Sequence, residues 1–170
     1  ADFHFNLGTA YDKLGRFDEL VSEMQEAIRL DPRHADALNY LGYTFAERDM
    51  RLEEAAGLIQ RALVIKPQNG YYLDSLAWAY FRMGRLPEAL EEMKRAVTVV
   101  SDDPVFFEHL GEIYLTSNFP NDAREAWLRS LELDPMNRKL TDRFKAKGFG
   151  DPAADERIRK AQQKQSSKTR

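Results

Sequence analysis

Apolar and polar positions along the chain follow a helical period and then start again about every 34 residues. The first recurring string is Leu7-Gly8-x-x-Tyr11, met again as Leu41-Gly42-x-x-Phe45, Leu76-Ala77-x-x-Tyr80 and Leu110-Gly111-x-x-Tyr114. From Gly8 to Gly42, Ala77 and Gly111 the steps are 34, 35 and 34 residues. A second string reads Leu20-x-x-x-Met24, Ala55-x-x-x-Ile59, Ala89-x-x-x-Met93 and Ala123-x-x-x-Trp127, with Ala27, Ala62, Ala96 and Ser130 three places further on. Residues spaced i, i+3, i+4 and i+7 share one helix face, so each unit predicts two helices with matching stripes. The small residues let the pair approach closely while the large ones fill the gaps.

Punctuation agrees with the period. Asp31-Pro32, Lys66-Pro67 and Asp134-Pro135 close three units, since proline cannot continue a helix and disfavours helix in the residue before it. Gly15 and Gly84 stand where a first helix must turn back, a place suited to a left-handed residue. One extra residue near 47–51 predicts a longer turn in the second unit. The predicted helices are 2–15, 18–30, 35–48, 53–65, 70–83, 87–99, 104–117 and 120–133. A ninth, at 138–147, would cap the array, with Leu140 and Phe144 inward and basic residues outward. Asp151-Pro152 suits the start of a weak helix over 153–164, and 165–170 reads as disordered.

This pattern resembles the tetratricopeptide repeat family. The resemblance implies an all-α fold, a right-handed α-solenoid of four helix-turn-helix repeats with a C-terminal capping helix. The repeats would be 1–34, 35–69, 70–103 and 104–137, the array 1–147, and 148–170 a basic tail. The chain departs from the family at the slot that usually holds Trp, which is His4, Leu38, Leu73 and Phe107 here, and the third unit lacks its closing Pro. Residues 39–43 and 70–78 also resemble bacterial cell-envelope adaptor proteins built from these repeats, which leaves cytoplasmic and periplasmic settings open.

Charge changes the picture at one end. Residues 1–137 hold 14 Lys/Arg against 24 Asp/Glu, net −10, whereas 138–170 hold 11 against 4, net +7. An acidic body disfavours nucleic acid, whose phosphates need a basic face. The apolar fraction of 43% is spread through the helices, and no run of about 18 apolar residues spans a membrane. There are 0 cysteines and 3 histidines, His4, His34 and His109, too scattered for a zinc site. No phosphate loop, HExxH or GxSxG occurs. Neither metal nor cofactor is expected, and the chain is read as a non-enzyme.

In this family a concave groove is lined by the first helix of each repeat. Carried over by position, the groove comprises Asn39, Tyr43, Tyr71, Asp74, Trp78, Phe81, Arg82, Glu108 and Glu112, with Asp2, Phe5, Thr9, Asp12, Lys13, Asp36, Ala46, Glu47, Val105, Leu115 and Thr116 at further groove positions. The resemblance thus implies a scaffold or adaptor that binds a protein or peptide segment with apolar and basic side chains, through an acidic and aromatic surface. The competing reading of Trp78 and Phe81 is packing between first helices. The alternative function is self-assembly into a homo-oligomer, or membership of a longer array. Phe3, Phe5 and Leu7 open the first helix with no hairpin before it, so an apolar edge is expected there. Phe3 and Phe5 are the candidate oligomer contacts, with further repeats upstream as the other way to cover them.

Overall fold

The computed structural model describes residues 1–168. Among these the chain is all-helical: α1 (Asp2–Lys13), α2 (Phe17–Leu30), α3 (Ala35–Glu47), α4 (Leu52–Ile65), α5 (Gly70–Arg82), α6 (Leu86–Val99), α7 (Pro104–Thr116), α8 (Pro120–Leu133), α9 (Arg138–Ala146) and α10 (Pro152–Lys168). Proline, glycine and caps mark these boundaries to within two residues for α1 to α9. Side-chain acceptors at His34, Asn69, Asp103 and Asn137 take up orphan amides at the starts of α3, α5, α7 and α9.

Two compact units divide the chain, Ala1–Glu92 and Met93–Arg170, with the boundary inside α6. In the first unit α1 pairs with α2 and α3 with α4, while α3 also packs on α2 and α5 packs on both α3 and α4. Gly42 lies beneath α4, where an added Cβ would stand 2.7 Å from the Ala55 carbonyl and from Ile59. The two strings found in the sequence therefore meet across the hairpin, small residue against large. The core of this unit is built from Leu20, Met24, Leu38, Phe45, Ile59 and Leu73, each at most 1% exposed.

One hydrogen bond closes every hairpin. The amides of Arg16, Met50, Arg85 and Phe119 donate to the carbonyls of Tyr11, Phe45, Tyr80 and Tyr114, all at 2.9 Å. Each of these turns also contains a left-handed residue: Gly15, Asp49, Gly84 and Asn118. The longer second turn carries a further one, Arg51, which accommodates the extra residue.

The second unit departs from expectation at its end. The Phe149 amide donates to the Phe144 carbonyl at 3.1 Å, and Gly148 is left-handed, so α9 and α10 are joined by the same kind of turn. Beyond it, Ala154-x-x-x-Ile158-x-x-Ala161 repeats the second string on α10. Ala154 and Ile158 are buried in one cluster with Trp127, Leu128, Leu131, Leu140 and Phe144, and Phe149 packs against it. Residues 138–168 thus form a fifth, incomplete helix pair, and there is no tail boundary at 147. Helix extends through Lys168, past the expected end at 164; Thr169 and Arg170 lie outside the described residues. The pair is incomplete because Thr141 stands where Gly8, Gly42 and Gly111 stood, and α10 packs chiefly on α8. Arg157 fastens that packing to Glu132 at 2.7 Å and Glu125 at 3.0 Å.

Candidate functional site

First helices lie side by side in the first unit. Tyr40 on α3 donates its hydroxyl to Asp12 on α1 at 2.6 Å, and Phe5 reaches His34 and Tyr40 at ring distances of 5.1 and 6.1 Å. Tyr72 on α5 donates to Asp36 on α3, and Arg82 pairs with Asp49 at 3.3 Å. These contacts tie α1 to α3 and α3 to α5.

On α5, Trp78 and Phe81 stack with centroids 5.0 Å apart and planes inclined by 30°. Both are half-buried, as is Tyr43, while Tyr71 is 56% exposed. The stacked pair is therefore partly packing and partly surface. Asn39 is half-buried, and its side-chain oxygen is enclosed without a hydrogen-bond partner. Asp74 is only 6% exposed, so it is no ligand-facing carboxylate. It acts indirectly: burial, Glu47 and then Asp74 push the Tyr43 phenol up, keeping it protonated. Arg82 is held to Asp49 in the neighbouring turn rather than standing free.

Glu108 and Glu112 belong to α7 in the second unit, where their charge is met from α9. Arg143 pairs with Glu108 at 3.5 Å and with Glu112, and Asn137 donates to Glu108 at 3.2 Å. Sequence position alone gave no sign of this, because Arg143 comes from the incomplete fifth pair. Phe5 is not an open edge contact either, since it packs on α3; Phe3, at 71% exposure, is the outward one.

The sequence reading missed a cavity of about 330 Å³ between α1 and α3, lined by Asp12, Tyr40, Tyr43, Thr44, Glu47 and Arg48. A signal existed: Tyr40, Tyr43, Thr44 and Glu47 are spaced i, i+3, i+4 and i+7 on one face. Burial first and then Asp12 push the Tyr40 phenol up as well, so both rings present neutral hydroxyls beside carboxylates. Among the described residues no cluster of three or more His, Cys, Asp or Glu could hold a metal ion, and no helix is long and apolar enough to cross a membrane.

The model of the tetratricopeptide repeat family matches residues 5–70 and 75–137. The TPR repeat-containing protein PA4667 of Pseudomonas aeruginosa is 35% identical over 101 residues, which are 59% of this chain and 17% of that protein. The type IV pilus assembly protein PilF of the same organism is 26% identical over 135 residues, 78% of this chain and 53% of that one. This chain therefore spans at most about half the length of these relatives. In fold, a crystal structure of MamA superposes with a TM-score of 0.69 at 20% identity, covering 95% of this chain and 96% of that one.

Proposed function

The chain belongs to the tetratricopeptide repeat family, and from that premise we propose that it is a protein-binding scaffold whose partner segment lies across the face made by α1, α3 and α5. The observation that carries this reading is the aromatic set on that face. Tyr71 is 56% exposed, and the stacked Trp78 and Phe81 are only half-buried, at the positions where the family lines its groove. Aromatic side chains supply large contact area at low entropic cost and recur as binding anchors. Asp12 and Glu47, which line the cavity between α1 and α3, supply negative charge, which favours a segment mixing apolar and basic residues. Glu108 and Glu112, held by Arg143, contribute less to that charge than their position suggests.

Selection from a random peptide library displayed on phage tests the reading without a partner in hand. The proposal expects enriched peptides to combine an aromatic or aliphatic residue with arginine or lysine, and to lose binding to Tyr71→Ala and Trp78→Ala protein. Enrichment of acidic peptides, or binders indifferent to both substitutions, would overturn it. Self-assembly is the second reading, supported by Phe3, exposed at 71% on α1.

A further inference from the structure

We infer that the cavity between α1 and α3 receives the guanidinium of an arginine side chain contributed by the bound segment, an inference that rests on the scaffold reading above. Its lining is Asp12, Tyr40, Tyr43, Thr44, Glu47 and Arg48, around a volume of about 330 Å³. Two carboxylates face this space from opposite helices. Asp12 accepts from the Tyr40 hydroxyl at 2.6 Å, and Glu47 lines the cavity with Tyr43, near enough that its charge helps push that phenol up. Neither is paired with a cation of its own chain among the described residues. The cation in the lining, Arg48, has its guanidinium 4.3 Å from the centre of the Phe17 ring on α2. A carboxylate bound to one neutral hydroxyl keeps further acceptor sites, and charge-assisted donors are the strongest partners for them.

The same chain shows what fills such a place when arginine is at hand. Arg16 lies 4.6 Å from the Tyr11 ring while donating to Glu19 at 2.9 Å. Arg85 lies 4.4 Å from the Tyr80 ring while donating to Glu88 at 3.0 Å. Arg51 does likewise with Phe45, at 5.1 Å, and Glu54, at 3.3 Å. Three hairpin turns thus set an arginine between an aromatic ring and a glutamate. The cavity offers two rings and two carboxylates, and its own Arg48 is turned to Phe17 rather than paired with either carboxylate. A guanidinium suits it better than an ammonium, because its planar fork donates to two acceptors while lying on a ring.

The experiment is an NMR titration of the whole chain with three blocked pentapeptides, Gly-Ser-X-Ser-Gly, in which X is arginine, lysine or the uncharged isostere citrulline. The expected result is saturable amide shifts confined to the neighbourhood of Asp12 and residues 40–48, with arginine tighter than lysine and citrulline silent. Asp12→Asn combined with Glu47→Gln, both exposed positions, should weaken the arginine peptide by about tenfold or more. Shifts equal for citrulline, shifts elsewhere, or shifts that survive the double substitution would overturn the inference. Failure here, with selected peptides still dependent on Tyr71 and Trp78, removes the arginine pocket alone. Arginine shifts at the cavity, with selected peptides indifferent to those aromatics, keep the pocket and remove the aromatic face.

Discussion

Gly111 lies directly beneath the indole of Trp127: a Cβ added at Gly111 would stand 2.2 Å from that ring. The ring is not free to move away, because Trp127 Nε1 donates to the Glu108 carbonyl at 3.1 Å on the same helix as the glycine. Gly111→Ala is therefore expected to destabilise the second unit by about 2–3 kcal/mol through overpacking. Gly57, inside α4, is the opposite case, since a Cβ added there would meet nothing within 4 Å. Gly57→Ala should stabilise by about 0.5–1 kcal/mol. Urea unfolding of the two variants checks both signs, and equal midpoints would contradict the packing account.

The hairpin turns give a second pair. Gly84 and Asn118 occupy corresponding left-handed places, at φ of 74° and 64°. Gly84→Ala should lower the unfolding midpoint, by about 1 kcal/mol of stability, whereas Asn118→Gly should leave it equal or slightly raised. A loss from Asn118→Gly as large as that from Gly84→Ala would mean the side chain, not the backbone angle, matters there.

How much of this was legible depended on what kept the period. Helices α1 to α8 were readable because Gly, Pro and the two apolar strings recur at 34 or 35 residues, and α9 because Leu140 and Phe144 share an apolar face amid basic residues. The α10 string was not, because the step from Tyr114 to Phe144 shrinks to 30 residues and the basic side chains on its outer surface suggested a solvated tail. Left-handed Asp49 and Asn118 were hidden for a related reason, being non-glycine residues in a glycine's place. At the site, position along a first helix singled out Tyr43, Tyr71, Trp78 and Phe81 as groove candidates. It could not reveal that Asp74 is buried, or that Arg143 reaches Glu112 from α9, since those depend on which helix packs alongside.

Removing residues 148–170 tests the fifth pair. It would uncover Trp127, Leu128 and Leu131 on α8, so the shortened chain should melt lower and expose apolar surface to a fluorescent dye. Ile158→Ala should cost about 2–4 kcal/mol by itself, because Ile158 is 8% exposed within that cluster. Unchanged melting of both proteins would return α10 to the status of a tail.

Salt offers a check on the charge of the α1–α3 face. Affinity for a selected basic peptide should fall as ionic strength rises to physiological, where screening acts over about 8 Å. Asp12→Asn with Glu47→Gln should flatten that dependence, and Glu112→Gln should change it little because Arg143 already holds Glu112. A steep dependence that only Glu112→Gln removes would relocate the charged contact to α7.

The central claim is that the aromatic face of α5 and its neighbours binds the partner segment. It is met most directly by measuring, through fluorescence anisotropy, the affinity of one selected peptide for wild type, Tyr71→Ala, Trp78→Ala and Val64→Ala. Tyr71 is 56% exposed and Val64 on α4 is 82% exposed, so neither substitution disturbs a core. The account predicts a loss of about 1–2 kcal/mol for each aromatic substitution, none for Val64→Ala, and an unfolding midpoint unchanged in Tyr71→Ala. Equal affinity across all four proteins, with Trp78→Ala merely less stable, would contradict it and leave Trp78 as a packing residue.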